Sequence, residues 1–294
     1  MAGNYSRGRP GTIRGPTTLL QRGWRYLTLR LLPTPVKSEY ESSHRFRPGA
    51  VTSLPKHRRA WEDLGRVDPF WAVLNDPARR HGQWDPAEFF ATGEREIAEL
   101  MESAAELGLP KERAAALDFG CGVGRMARPL ASHFQAYTGV DISEPMLAQA
   151  REWNRDCSRC RFILNTAGDL RAFDSASVDL IYSRFVLQHL PSRALVESYL
   201  RDFIRLLKPG GLLVFQLPSR IGLLHRLQPR RRVYALLRGL GVSERLLLGP
   251  LKLTPMAMLA MPEPEVARLV QNLGGRLVKA EHPSDLDQVY FVSR

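Results

Sequence analysis

Cysteine is scarce in this chain of 294 residues: it has three, at positions 121, 157 and 160, too few for a disulfide framework. A reducing compartment is therefore expected. The lone Cys157-x-x-Cys160 spacing has no second pair nearby and reads as chance on a surface loop, since a structural zinc site needs four ligands. No metal is expected. The chain also lacks any apolar run of the roughly 20 residues needed to span a bilayer, because the stretch from Leu19 to Leu32 is interrupted by Arg22, Arg25 and Arg30. That excludes a transmembrane helix and an ordinary secretory apolar core. No acid precedes Glu39, a lack shared with mitochondrial transit peptides. A cytoplasmic protein, peripheral to a membrane at most, is the expectation adopted.

What is present is ample for a folded body. Apolar residues make up 44% of the chain, which excludes wholesale disorder. The net charge of +12 is unevenly placed: residues 1–60 hold 12 Lys and Arg against 2 Asp and Glu, and residues 219–245 hold 7 against 1. The rest carries 23 basic and 27 acidic residues. A groove that tracks phosphates places its basic residues on the folded body, so no nucleic-acid partner is expected.

Five regions follow from composition and periodicity. Residues 1–60, rich in Pro, Gly, Arg and Ser, read as a basic, partly disordered extension in which Pro55 and five earlier prolines prevent any long element. Within it Leu20, Trp24, Leu27 and Leu31 fall on one helical face opposite Arg22 and Arg25, so residues 17–32 are expected to contact a membrane surface peripherally. Residues 61–110 read as a helical cap with a helix from Thr92 to Leu107, for which Asp85 before Glu88 offers a better capping box than Thr92 before Arg95. In residues 111–218, apolar runs at Ala114 to Phe119, Ala136 to Val140, Arg161 to Leu164, Val178 to Ser183 and Leu212 to Leu217 alternate with helical patterns. This predicts a parallel sheet covered on both faces. Residues 219–260 are a basic, leucine-rich insertion, and residues 261–294 add a helix and two strands.

The sharpest chemical signal is Leu117-Asp118-Phe119-Gly120-Cys121-Gly122-Val123-Gly124-Arg125, a strand that ends in an acid and runs through alternate glycines into a helix. Such a turn lets backbone approach a ligand and presents amide donors at a helix start. Gly122, Gly124 and Ala127 also satisfy the dinucleotide pattern, leaving an NAD(P)-dependent oxidoreductase open. A carboxylate beside the loop favours a cationic ligand over a pyrophosphate, and Asp141, after the next strand, can accept both hydroxyls of a ribose. His189, after the fourth run, sits where ligands bind in open α/β folds and is the candidate general base.

With Gly139-Val140-Asp141-Ile142-Ser143-Glu144-Pro145-Met146, Val178-Asp179-Leu180-Ile181-Tyr182-Ser183, Leu187-Gln188-His189-Leu190-Pro191 and Leu206-Leu207-Lys208-Pro209-Gly210-Gly211 in order, the chain resembles the class I S-adenosylmethionine-dependent methyltransferases of the bacterial small-molecule type. The resemblance covers about residues 85–294. It implies a Rossmann-like α/β fold whose seven-stranded sheet is mostly parallel with the last strand antiparallel. Helices cover both faces, and a helical insertion precedes the last two strands. It implies S-adenosylmethionine as cofactor, with Asp118 and the turn of Gly120, Gly122 and Gly124 at its amino acid moiety, Asp141 at the ribose, and Ile142 and Met146 at the adenine faces. Where relatives place an acid after the third strand this chain has Ala167, so Asp169 or the backbone of Gly168 and Leu170 is expected to read the adenine edge.

The reaction implied is in-line attack on the sulfonium methyl carbon by an oxygen, nitrogen or carbon nucleophile of a small-molecule, glycan or lipid-linked acceptor. The acceptor walls are expected from the aromatic segment Trp84 to Phe90 and from the insertion at 219–260. A non-catalytic cofactor-binding protein stands as the third reading.

Overall fold

The computed structural model describes residues 54–294 apart from 223–226, 257 and 285. The amphipathic segment expected at 17–32 lies outside the described residues. Seven strands form one sheet: β1 (Ala115–Phe119), β2 (Ala136–Asp141), β3 (Cys160–Leu164), β4 (Val178–Ser183), β5 (Leu207–Gln216), β6 (Arg276–Ser284) and β7 (Asp287–Ser293). Their order is β3-β2-β1-β4-β5-β7-β6. β1 to β5 pair in parallel, and β7 runs antiparallel to both β5 and β6. The inner strands are apolar without alternation because helices cover both faces. One face buries Leu117, Phe119, Ile181, Leu213 and Phe215, and the other buries Ala116, Leu180, Tyr182, Leu212 and Val214.

Before the sheet come α1 (Leu54–Val67), α2 (Pro69–Val73) and α3 (Pro86–Leu107). α1 runs across the boundary expected at residue 60, and Pro55 does not prevent it. Proline in the first helical turn removes an amide that has no intrahelical acceptor anyway. α3 starts six residues before Thr92. The Asp85 carboxylate accepts from Glu88 N at 2.9 Å, Pro86 fills the first position, and Gly108 closes the helix at φ 62°. Thr92 is interior, its hydroxyl donating to Phe89 O.

Between the strands lie α4 (Ala127–His133), α5 (Glu144–Trp153) and α6 (Arg193–Leu206). Pro129 sits in the first turn of α4, where it is tolerated. Leu195, Tyr199, Phe203 and Leu206 of α6 face the core, and Ser192 caps the helix by accepting from Leu195 N. The Lys208-Pro209-Gly210-Gly211 segment belongs to the start of β5, pinned by the buried Asp179 carboxylate. That carboxylate accepts from Lys208 Nζ at 2.9 Å and from the amides of Ala114 and Ala115.

The insertion carries α7 (Pro229–Gly239) and α8 (Glu244–Leu248), and α9 (Glu263–Asn272) precedes β6. Cys157 and Cys160 correct the expectation of a chance spacing. The turn before β3 brings their Cα atoms to 5.4 Å and they form a disulfide, while Cys121 is a buried free thiol. Among the described residues no helix is long and apolar enough to cross a membrane.

Candidate cofactor and acceptor cleft

A cleft opens at the carboxyl ends of β1, β2 and β4, where the strand order reverses direction and open α/β sheets bind ligands. Its floor is the turn after β1. Gly120 and Gly122 hold φ values of 78° and 53°, a region costly for any side-chain-bearing residue. A Cβ at Gly120 would stand 2.3 Å from Val186 Cγ2, and one at Gly122 would stand 2.8 Å from Val73 Cγ2. The amides of Gly120 and Cys121 both donate to Val140 O, lashing the turn to β2.

Asp141 ends β2 and lines the cleft. Its carboxylate accepts from Gly122 N at 2.9 Å and Ser143 N at 2.8 Å. Burial raises its pKa, and the amides of Ser143, Gly122 and Ile142 oppose the rise. A carboxylate offers about four lone-pair sites, so these amides leave acceptor capacity for a ribose hydroxyl. Ile142 and Met146 line the same wall and present the apolar surface a purine ring stacks on. This cradle fits S-adenosylmethionine: backbone laid bare by glycine, a fixed acceptor for the ribose hydroxyls and apolar plates for the base.

The other residues expected at the cofactor are placed differently. Asp118 does not line the cleft. It lies buried behind the turn, where Tyr137 Oη donates to its Oδ2 at 2.9 Å. Burial pushes its pKa up to about 7, against the lowering effects of the Tyr137 bond and the Arg125 charge. Gly124 lies deeper still; a Cβ there would meet Asn154 Nδ2 at 2.7 Å.

Gly168, Asp169 and Leu170 are also outside the lining, because their loop is tied to α6. Ser198 donates to Gly168 O, Tyr199 to Ala167 O, and Leu170 N donates to the Asp202 carboxylate. Asp169 pairs with the exposed Arg171 at 3.1 Å. Asn165 takes the place in the cleft, its side-chain amide donating to Asp169 O at 3.1 Å. Asn165 follows β3 directly, and its neutral side chain lacks the charge expected at that place.

The acceptor walls are not those expected. Phe89 is fully buried and stacks on Phe70 with centroids 4.3 Å apart, and Trp84 packs edge-on against Phe89. Phe89 is therefore core, with Trp84 and Phe90 half-buried against the same cluster. The far wall comes from Leu54, His57 and Trp61 of α1, Val73 of α2, and Arg184 and Phe185 after β4. His189 lies behind that wall, its ring edge-on to Trp61 at 5.6 Å and its Nε2 3.1 Å from Gln188 Nε2. The imidazole that lines the cleft is His57. Burial, then the neighbouring charges of His189 and Arg231, lower its pKa to about 3 and keep it neutral at physiological pH.

Phe185 holds φ 59°, unusual for a bulky residue, and its amide donates to Gln216 Oε1 at 3.2 Å. Arg184 pairs with Asp287 at 2.6 Å and with Glu96 at 3.4 Å. Glu96 also pairs with Arg125 at 2.8 Å and accepts from the Tyr182 hydroxyl. This network joins α3, the glycine turn, β4 and β7 under the cleft. No local pattern in the sequence marks it, since its members are far apart in the chain.

Sheet order, antiparallel β7 and the cleft at the glycine turn define a class I S-adenosylmethionine-dependent methyltransferase fold. Residues 117–215 match the family model described as a methyltransferase domain. A trans-aconitate 2-methyltransferase of Variovorax paradoxus (strain S110) is 34% identical over 138 residues, 46% of this chain and 50% of that protein. A demethylmenaquinone methyltransferase of Tropheryma whipplei (strain Twist) is 39% identical over 103 residues, 33% of this chain and 39% of that protein. The chain spans about half the length, or less, of these curated relatives. The crystal structure of magnesium protoporphyrin IX methyltransferase from Synechocystis PCC 6803, with bound S-adenosylhomocysteine, superposes with a TM-score of 0.54 at 16% identity. The match covers 82% of this chain and 99% of that one.

Proposed function

We propose that the protein is an S-adenosylmethionine-dependent methyltransferase that modifies an oxygen, nitrogen or carbon nucleophile of a small, largely apolar acceptor. The observation that carries this reading is the cleft itself, where the glycine turn, the fixed Asp141 carboxylate and the apolar Ile142 and Met146 form one wall of a single cavity. The curated relatives named above are methyltransferases of small organic acceptors by name, and they lend nothing to the oxidoreductase alternative.

When bound, S-adenosylmethionine supplies a methyl group activated by the sulfonium charge. The protein's part is alignment and exclusion of water, which together contribute several kcal/mol in such reactions. Gly120 and Gly122 bring the backbone close, Asp141 accepts the ribose hydroxyls, and Asn165 offers an amide at the adenine edge. Trp61, Phe185 and Leu190 close the acceptor side with apolar surface. His57, held neutral, accepts a hydrogen bond from an acceptor hydroxyl or amine and orients its lone pair. With a pKa near 3 it is a poor store for a proton, so the acceptor's proton leaves to solvent and His57 acts by orientation.

The test is calorimetry of the full chain with S-adenosylmethionine, its demethylated product and NAD, followed by a metabolite screen for a mass gain of one methyl group. Binding of the first two with no binding of NAD is the expected result. Binding of NAD alone overturns the reading.

A further inference from the structure

Helix α7 is oriented with an apolar stripe toward solvent. Its inner side is fixed by polar bonds: Tyr234 Oη donates to the buried Asp63 carboxylate at 3.1 Å, and Arg238 pairs with Asp63 at 3.2 Å and with Glu244 at 3.3 Å. Its outer side carries Val233, Leu236 and Leu240, which are 45%, 65% and 73% exposed. Helical geometry at about 3.6 residues per turn stacks these three in one stripe and sets Arg232 on one flank and Arg230 on the other. Leu246 of α8 and Leu251 after it are also about half exposed. Soluble proteins scatter exposed leucines singly; a stripe flanked by arginines on both sides is the pattern of an interfacial helix.

The charge around the stripe selects the partner. Residues 219–252 contain eight Lys and Arg and one acid, Glu244, and Glu244 is turned inward against Arg238. Arg230, Arg232, Arg245 and Lys252 are all exposed. A surface that is apolar along its ridge and uniformly cationic at its flanks complements an anionic bilayer, whose headgroups meet the arginines while its acyl region takes the leucines. The surface also adjoins the cleft: Asp63, which holds α7, lies in α1, the helix that supplies Leu54, His57 and Trp61 to the acceptor wall.

We infer that the outer face of α7 and α8 docks the protein on anionic membrane surfaces, with Leu236 and Leu240 inserted into the interface. This does not depend on the proposed activity, because membrane binding and cofactor binding are measured separately.

The experiment is vesicle co-sedimentation of the full chain with phosphatidylcholine–phosphatidylserine vesicles and with phosphatidylcholine alone, at low and high salt. The wild type, Leu236→Asp/Leu240→Asp and Arg230→Glu/Arg232→Glu are compared, and calorimetry with S-adenosylhomocysteine and far-ultraviolet dichroism check that the variants are folded. The wild type binds the anionic vesicles and loses that binding in high salt. Each arginine reversed to glutamate lowers partitioning by at least about fivefold, and the double leucine variant lowers it by at least about tenfold with its fold unchanged. No binding by the wild type, or equal binding by the wild type and the leucine variant, overturns the inference. So does self-association of the wild type without lipid that the leucine variant abolishes, which would make the face a protein interface.

Discussion

The Tyr137 hydroxyl donates to the Asp118 carboxylate at 2.9 Å, with both side chains buried behind the glycine turn. Their neighbours in the sheet put them there: Ala116 stands beside Tyr137 and Asp118 beside Gly139 in the β1–β2 register. Burial raises the Asp118 pKa to about 7, while its unfolded value is near 3.8. Between these values the unfolded chain releases a proton that the folded chain keeps. The stability this carboxyl contributes is therefore fully present below pH 4 and is lost as pH rises through 7. Asp118→Asn removes the titration. The stability of the wild type relative to this variant, from urea unfolding, should fall by about 1.4 kcal/mol per pH unit across that window. A relative stability that does not change with pH shows that the carboxyl is ionised throughout.

Asp141→Ala should weaken S-adenosylmethionine and its demethylated product alike, since one carboxylate is proposed to hold the ribose of both. Charge-assisted bonds of about 1.5 to 3 kcal/mol correspond to a loss of about 10- to 150-fold in affinity. The same substitution frees the amides of Gly122 and Ser143, so Asp141→Asn, which keeps an acceptor, should lose less. Unchanged calorimetric affinity in the alanine variant removes Asp141 from the cofactor site.

Gly120→Ala should abolish measurable cofactor binding. The new Cβ meets Val186 Cγ2 at 2.3 Å on a backbone with φ 78°, and the turn has to open to admit it. A destabilisation of about 1–3 kcal/mol by thermal unfolding is expected alongside. If the variant binds the cofactor with wild-type affinity, the turn is not part of the site.

The two histidines separate by readout. His57 lines the cleft, so His57→Ala should lower kcat/KM for the acceptor by about 10- to 100-fold at unchanged cofactor affinity, and His57→Gln, which keeps an acceptor oxygen, should recover part of the loss. Its pKa of about 3 lies below the unfolded value of 6.5. Stability relative to His57→Gln is therefore full above pH 6.5 and declines as pH falls toward 3. His189 packs behind Trp61 and Gln188, so His189→Ala should lower Tm by several degrees. Wild-type kcat/KM in His57→Ala, or its collapse in a thermally unchanged His189→Ala, restores His189 as the catalytic histidine.

Asp63→Ala tests what holds the insertion. It strips the acceptor from the buried Tyr234 hydroxyl and one partner from Arg238, a loss of about 1–3 kcal/mol for a buried unsatisfied group. Protease cleavage between residues 229 and 248 should accelerate before the core unfolds. Proteolysis at the wild-type rate means that apolar packing alone holds α7.

The sequence by itself determined the architecture. Apolar runs without alternation fix a covered parallel sheet, and Gly120-Cys121-Gly122-Val123-Gly124 between an acid-ended strand and a helix fixes where the cleft opens. Asp141 was legible as an acid directly after a strand, whereas Ile142 and Met146 were expected from the family resemblance alone; all three line the cleft. Tertiary structure decided the rest. Phe89 reads as an available aromatic until packing against Phe70 buries it. Pro55 reads as a breaker until the first turn of α1 absorbs it. Arg184 reaches the cleft braced by Glu96 and Asp287, 88 positions before it and 103 after it. His57 outranks His189 as a cleft residue only because α1 folds back over the sheet edge. Such pairings join residues with no shared local periodicity, so they arise from the closed core and leave no trace in the order of neighbours along the chain.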